Sequence, residues 1–212
     1  EQVIELCIKE ANGKIPVIAG TGSNSTEEAI SLTKHAEQAG ADGALVVTPY
    51  YNKPNQQGLI NHFKIIAKST PLKQIIYNIP GRSIVDLSLD SFKELNKISN
   101  IVAIKDASND ISRPLLMRTF MKKDFNYLSG EDGTIAGFLA QGGHGCITVA
   151  GNVAPKLTSE LHKSWNQKQW KKFDKINLQL APLSKVLFQE PNPTPTKYAL
   201  SLMGFCSEEV RA

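Results

Sequence analysis

Short apolar, β-branched runs recur along this sequence and are separated by longer segments with helical spacing. The runs start about 20 to 30 residues apart, which is the length of one strand–helix unit. Several are continuously apolar rather than alternating, as in parallel strands buried on both faces. The pattern predicts an α/β fold with a parallel sheet, and the predicted strands are 15–19, 44–48, 74–77, 101–105, 125–129 and 145–149.

The segments between these runs have the periodicity and the end signals of helices. Ser25 and Glu28 have the spacing of a capping box, and Gly40 ends the run that follows. Leu59, Phe63 and Ala67 form one apolar stripe, and Phe92 and Leu95 form another. The histidines within these helices, His35 and His62, are expected to face solvent.

The character of the sequence changes near Pro155, after which every segment has helical spacing. We therefore divide the chain into 1–155, a series of βα units, and 156–212, a helical region. No low-complexity or Gly/Ser-rich linker separates the two.

Six βα repeats fit two architectures, a doubly wound open sheet or a (β/α)8 TIM barrel. An open sheet of the nucleotide-binding type carries GxGxxG after its first strand, but Gly20-Thr21-Gly22 lacks the third glycine. The opening segment 3–11 has helical spacing and resembles the last helix of an absent unit. We expect a TIM barrel lacking its first two βα units here, which would precede Glu1, with extra C-terminal helices.

Composition and charge exclude several classes of protein. No apolar stretch approaches the roughly 18–20 residues of a membrane span. Three widely spaced cysteines rule out a disulfide framework and predict a cytoplasmic location. The net charge of +4 comes from scattered cations, twenty lysines against four arginines, so nucleic-acid binding is not expected.

Lys105 is the most informative polar residue at a predicted strand end. Active sites of TIM barrels lie at the carboxyl ends of the strands, and four apolar residues precede Lys105 there. A desolvated lysine with a lowered pKa is a nucleophile that forms Schiff bases with ketones. The alternative is a strand-end lysine whose stem is buried and whose ammonium group reaches water.

Two further residues have chemistry suited to such a site. Tyr77 ends a predicted strand and can donate or accept a proton, or it can simply pack beneath a loop. Arg82, in the loop that follows, can bind a carboxylate through two hydrogen bonds, or it can be solvated. His144 has no other ligand at metal-binding spacing, so no metal site is expected.

These residues lie in motifs that resemble those of the dihydrodipicolinate synthases, a family of pyruvate-dependent class I aldolases. Tyr77 opens the segment YNIPGRS, and Lys105 follows 28 residues later in IKDA. The similarity extends over nearly the whole chain and includes the segments PVIAGTG at 16–22, TPYYNKP at 48–54 and EPNP at 190–193.

The resemblance implies an activity and a role for each matching residue. The family condenses pyruvate with L-aspartate 4-semialdehyde to 4-hydroxy-tetrahydrodipicolinate, in the biosynthesis of diaminopimelate and lysine. Lys105 matches the lysine that forms the pyruvate imine, Tyr77 a tyrosine of the proton relay, and Arg82 the arginine that binds the semialdehyde carboxylate. Gly130 and Ile147 match positions lining the pyruvate pocket.

The resemblance also implies an assembly and a regulator. Tyr51 matches an aromatic residue that crosses a tight dimer interface into the neighbouring site, within a homotetramer built as a dimer of dimers. The positions that hold inhibitory L-lysine at that interface are matched by Asn24, Glu28 and Tyr50. A role in the capping box explains the presence of Glu28 equally well. No metal or organic cofactor is implied, because the lysine itself serves as the electron sink.

One departure leaves alternatives open. The adjacent threonines that complete the family's relay belong to the second βα unit, which is expected upstream of Glu1. A related lyase acting on N-acetylneuraminate or keto-deoxy sugar acids would share Lys105 and Tyr77 without needing Arg82. A non-catalytic truncated relative is the other alternative.

Overall fold

The computed structural model describes residues 1–211, which fall into two compact units. The first comprises Glu1–Leu128 and Gln141–His144, and the second comprises 129–140 and 145–211. Strands and helices alternate in the first unit, whereas the second is mostly helical. The boundary expected near residue 155 stays a prediction.

The first unit alternates strands and helices as the sequence predicts. Its helices are α1 (Gln2–Ala11), α2 (Thr26–Ala39), α3 (Gln56–Ser69), α4 (Pro80–Ser83), α5 (Leu89–Leu95) and α6 (Arg113–Arg118). Its strands are β1 (Ile18–Gly20), β2 (Gly43–Val47), β3 (Gln74–Asn78) and β4 (Ile101–Asp106), followed by β5 (Asn126–Ser129), whose last residue belongs to the second unit.

Strands β1 to β4 are parallel neighbours in sequence order. The register pairs Val47 with Tyr77 and Tyr77 with Lys105, so the ends of β2, β3 and β4 lie side by side. Most residues of these three strands are buried, as their continuous apolar sequences predict. The parallel arrangement brings all carboxyl ends to one edge of the sheet.

Apolar helix faces pack within the first unit. On α3, Leu59, Phe63 and Ile66 are fully buried. On α5, Phe92 is fully buried and Leu95 is 1% exposed. The stripes predicted on these two helices are therefore confirmed. Each buried side chain of this size contributes about 1.5–3 kcal/mol relative to exposure.

The ends of α2 follow the predicted signals with one difference. The Ser25 hydroxyl accepts a hydrogen bond from the Glu28 backbone N–H at 3.4 Å, and Gly40 ends the helix with a φ of 94°. The Glu28 carboxylate accepts a hydrogen bond from the Ser23 hydroxyl instead of reaching the Ser25 N–H. Only one half of the capping box is therefore formed.

The second unit packs helices around its own core. Its elements are α7 (Ile135–Ala140), the short strand β6 (Gly145–Cys146), α8 (Ala150–Val153), α9 (Pro155–Asn166), α10 (Trp170–Val186) and α11 (Thr194–Leu202). The core residues are Ile135, Leu139, Leu161, Phe173, Ile176 and Leu180. The helical character predicted after Pro155 is confirmed, but the strand expected at 145–149 is regular only over its first two residues. Within residues 1–211, no helix has both the length and the apolar character of a membrane crossing.

The expectation that His62 faces solvent is wrong. Its side chain is 4% exposed on α3, and its Nδ1 lies 2.9 Å from the Thr26 hydroxyl oxygen. Helical periodicity did not reveal this, because polar residues also occur on the face that packs against a neighbouring helix. Burial lowers the pKa of His62 from 6.5 to about 4.

We expect His62 to make the stability of the fold fall in acid. Its pKa is lower in the folded state than in the unfolded state, so this contribution is fully present above pH 6.5. As the pH drops towards 4, the unfolded state binds the proton first, and the free energy of unfolding decreases by up to about 3 kcal/mol. Urea titrations at several pH values measure this loss. It should shrink in His62→Asn and persist in His35→Asn, and equal pH dependence in the two variants would contradict the assignment.

Candidate functional site

The carboxyl ends of β3 and β4 bring Tyr77 and Lys105 together. They are register partners, and both side chains are half-buried. The Lys105 Nζ lies 3.9 Å from the centroid of the Tyr77 ring. The structure therefore places an amine and a phenol, the two groups predicted to form an imine and to relay a proton, in direct contact.

A cavity of about 520 Å³ opens beside Tyr77 in the first unit. Its size falls within the range of small-molecule sites. It is lined by the predicted catalytic residue Tyr77, the predicted substrate-binding residue Arg82 and the predicted inhibitor residue Tyr50. The complete lining is Gly20, Gly22, Leu45, Val47, Tyr50, Tyr77, Ile79, Arg82 and Ser83.

Arg82 lies exposed on the single helical turn α4, which is anchored by Ser83. The buried Ser83 hydroxyl accepts a hydrogen bond from the Thr48 hydroxyl at 3.0 Å and lies 2.9 Å from the Ile79 carbonyl oxygen. Thr48 is the residue after β2, so the Arg82 turn is tied to the end of that strand. The sequence placed Thr48 at a strand end but gave no sign of this partner.

Gly22 allows the ends of β1 and β2 to approach closely beside the cavity. A Cβ atom built on Gly22 would lie 2.4 Å from the Val47 backbone nitrogen, a distance that real Cβ atoms do not reach. Backbone packing therefore requires the second glycine of Gly20-Thr21-Gly22. A phosphate-binding role is not needed to explain this motif.

The loop after β2 carries Tyr50 and Tyr51 in different environments. Tyr51 has a φ of 73° and is 88% exposed, whereas Tyr50 lines the cavity. The Asn52 side-chain amide donates to the Asn24 carbonyl oxygen at 3.0 Å, so the loop is joined to the segment before α2. The structure thus brings Asn24 close to the Tyr50 loop, while the role of Tyr51 across an interface stays a prediction.

Gly130 and Ile147 belong to the second unit, where both are half-buried. The Ile147 backbone N–H donates to the Ser129 carbonyl oxygen at 2.9 Å, which connects the segments that carry the two residues. Their role in a pyruvate pocket stays a prediction.

Directly beyond Tyr77 and Lys105, four buried or half-exposed polar side chains form a network that we call the Arg113 network: Asn78, Asp86, Asp106 and Arg113. Arg113 Nη1 donates to both carboxylate oxygens of Asp86 at 2.9 Å, and its Nε lies 3.1 Å from Asp106 Oδ2. The Asn78 amide donates to Asp86 at 2.8 Å. Burial raises the pKa of Asp106, while the Arg113 guanidinium and the hydrogen bonds from Ser108 oppose that rise.

Sequence reasoning noted Asn78 and Asp106 as strand-end residues but missed the Arg113 network. Its Arg113–Asp86 ion pair joins residues 27 positions apart in the chain, which no local pattern encodes. One signal was present in the composition. Only four of the 24 lysine and arginine residues are arginines, and Arg113 is one of them. Arginine is the cation that suits two-point binding of carboxylates.

Among the residues that the structure describes, no group of three or more His, Cys, Asp or Glu side chains has an arrangement that could hold a metal ion. The expectation of a site without metal or organic cofactor stays a prediction.

Ile84, directly after the Arg82 turn, has a φ of 68° and is 64% exposed. Because this conformation is strained for a β-branched residue, we expect Ile84→Gly to raise the free energy of unfolding by about 1 kcal/mol. Ile15 is 65% exposed without a positive φ, so Ile15→Gly is a matched control that should not stabilise. Thermal unfolding of both variants tests this, and a loss of stability in Ile84→Gly would contradict it.

Comparison with known proteins gives consistent matches over the full chain. The model of the Dihydrodipicolinate synthetase family matches residues 1–212. The 4-hydroxy-tetrahydrodipicolinate synthase of Bradyrhizobium diazoefficiens is 52% identical over 211 residues, which are 100% of this chain and 71% of the relative.

Solved structures agree with this assignment. The chloride-inhibited dihydrodipicolinate synthase of Acinetobacter baumannii, complexed with pyruvate, has a TM-score of 0.95 and 46% identity, covering 99% of this chain and 72% of that one. The lysine-bound DHDPS of Cyanidioschyzon merolae has a TM-score of 0.92 and 36% identity, covering 96% and 70%. The predicted α/β fold of the TIM-barrel type is confirmed, and the chain belongs to the dihydrodipicolinate synthetase family.

Proposed function

We propose that this protein is a lyase that condenses pyruvate with L-aspartate 4-semialdehyde to 4-hydroxy-tetrahydrodipicolinate. The contact between Lys105 Nζ and the Tyr77 ring carries the proposal. It joins a nucleophile and a proton-transfer group at the carboxyl edge of a parallel sheet, in a chain 52% identical to a synthase of that name.

Lys105 would act as the nucleophile. Its neutral amine attacks the ketone carbon of pyruvate, and loss of water leaves an imine whose nitrogen remains bonded to the lysine. Removal of a methyl proton then gives an enamine, because the protonated imine accepts the electron pair. The enamine carbon attacks the semialdehyde aldehyde carbon, which forms the new carbon–carbon bond and restores the imine. The amino group of the semialdehyde unit then attacks the imine carbon, which closes the ring and releases the Lys105 amine.

Tyr77 would move the protons that this sequence requires. A phenol can both donate and accept a proton. The Tyr77 ring is in contact with Lys105 Nζ, the nitrogen that would react. The ketone oxygen of pyruvate becomes a carbinolamine hydroxyl that needs a proton to leave as water, and the aldehyde oxygen becomes an alkoxide that needs a proton when the new bond forms. We propose that Tyr51 of a partner subunit extends this relay, consistent with its exposed side chain.

Arg82 would select the second substrate. It is exposed and lines the same cavity as Tyr77, where its guanidinium can donate two hydrogen bonds to the semialdehyde carboxylate. Gly130 and Ile147 would line the pyruvate pocket. A lyase for sugar acids would not require this arginine, so Arg82 favours the synthase activity.

We further propose a homotetramer located in the cytoplasm, with L-lysine as an inhibitor. The hydrogen bond between Asn52 and Asn24 brings two of the predicted inhibitor residues, Asn24 and Tyr50, onto neighbouring segments. Glu28 supplies a carboxylate for the incoming ammonium group. The DHDPS of Cyanidioschyzon merolae was solved with lysine bound, which supports this assignment.

Reductive trapping tests the Schiff base. Borohydride added with pyruvate delivers hydride to the imine carbon and converts the adduct into a stable secondary amine. We expect peptide mass mapping to find the adduct on Lys105 and on none of the other nineteen lysines. Lys105→Arg should abolish it, and Tyr77→Phe should slow its formation by about 10²-fold or more.

The outcomes separate the alternatives. An adduct on another lysine, or none on Lys105, would refute the proposal for this protein. An adduct on Lys105 combined with faster cleavage of sugar acids than condensation with the semialdehyde would replace the synthase activity by that of a related lyase.

Calorimetric titration with L-lysine tests the inhibitor site. We expect saturable binding that Glu28→Gln weakens by about tenfold, because the ammonium group loses a charged partner. Glu27→Gln is the matched control, since Glu27 is also exposed in the first turn of the same helix. No binding by the unmodified protein, or equal weakening by both variants, would remove the site.

A further inference from the structure

The Arg113 network begins at the residues that follow Tyr77 and Lys105. Asn78 and Asp106 are themselves register partners, one step beyond the Tyr77–Lys105 pair. Successive side chains of a strand point to opposite faces. The reacting pair and the network pair are therefore held on the two faces of the same two strand ends.

Asn78 uses both ends of its amide group. Its Nδ2 donates to Asp86 Oδ1 at 2.8 Å, and its Oδ1 accepts from the Leu87 backbone N–H at 3.0 Å. The side chain is completely buried. The Asn78 side chain therefore joins the end of β3 to the segment that follows the Arg82 turn. Because both ends of its amide are used, the amide has one orientation.

Arg113 connects that segment to the end of β4. Its guanidinium contacts Asp86 and Asp106, donates from Nη2 to the Leu87 carbonyl oxygen, and lies 5.8 Å from the centroid of the Phe92 ring. Both Arg113 and Asp106 are buried. One side chain thus joins the end of β4, the segment after α4, and through Asp86 the end of β3.

Stability alone does not account for this arrangement. The desolvation of buried ions offsets most of their attraction, so apolar residues of similar volume stabilise a fold as well or better. What a planar guanidinium provides is fixed geometry among several acceptors. Reacting groups need such fixing, because a displacement of about 1 Å can cost about 100-fold in rate.

We propose that Arg113 is a positioning residue, which sets the geometry of Lys105 against Tyr77 through Asp106, Asp86 and Asn78. It does not touch substrate. The inference rests on the proposed function, since it concerns the imine that Lys105 forms, and it extends that function to residues outside the cavity.

Lys122 offers a matched control at the opposite end of β4. Its Nζ donates to the carbonyl oxygen of Ile101 at 2.8 Å and to those of Ile98 and Ser99 at 3.3 Å. It too is a cation that fixes β4 through several acceptors, but it does so at the start of the strand, at the opposite end from Lys105. Lys122→Met and Arg113→Met each remove one such cation.

The measurement is the rate constant of imine formation on Lys105, from rapid mixing with pyruvate, a borohydride quench and mass mapping. We expect Arg113→Met to lower the rate constant at saturating pyruvate by about 10- to 100-fold, with the half-saturating concentration changed by less than about threefold. Lys122→Met should lower the thermal midpoint and leave the rate constant unchanged. A merely structural role would reduce the amplitude, which reports the folded fraction, and spare the rate constant.

Asp86→Asn covers the case in which Arg113→Met does not fold, because the Asp86 side chain is about half exposed and tolerates the change. This variant keeps an acceptor for Asn78 but weakens the Arg113 contact, and we expect a smaller decrease of about three- to tenfold. An unchanged rate constant in Arg113→Met overturns the proposal. If only Asp86→Asn folds, an unchanged rate constant in that variant overturns it instead. An equal decrease in Lys122→Met also overturns it. An unmodified protein that forms no adduct on Lys105 instead refutes the proposed function.

Discussion

The site depends on the parallel register of β3 and β4. That register places Tyr77 opposite Lys105 at the carboxyl ends of the two strands. A shift by one residue would turn each side chain to the other face of the sheet. The continuous apolar sequence of both strands does not by itself oppose such a shift, because both faces are buried. Polar groups at the strand ends are therefore well suited to define the register.

The polar groups around the site divide into two kinds. Tyr77 and Arg82 line a cavity that a ligand can occupy, and Lys105 contacts the Tyr77 ring. Each of the three has chemistry that a carbonyl or carboxylate substrate can use. Asp106 and Arg113 are buried among other protein groups and do not line that cavity. The first kind determines which reaction is possible, and the second determines the geometry in which it takes place. Each kind includes a residue at the end of β4, because Lys105 and Asp106 are neighbours on that strand.

Local patterns in the sequence predicted the strands and helices, and short motifs predicted the residues that we propose to react, because both are properties of short stretches of chain. Apolar runs gave the strands, although β1 begins three residues later than expected and β6 is shorter, and the motifs around Tyr77 and Lys105 gave the chemistry. The burial of His62 and the bond from Thr48 to Ser83 were missed, as was the Arg113 network. Each depends on a partner more than 25 residues away along the chain. Such pairings are set by how units pack, which no window of sequence contains.

Gly22 has a consequence for how this cavity can diversify. Since no side chain fits between it and Val47, the ends of β1 and β2 cannot keep this close approach with another residue at position 22. Changes in substrate preference are better sought at Arg82, which lines the same cavity and lies exposed on a single helical turn. Directed evolution of this scaffold is best aimed at that turn, with the glycine left untouched.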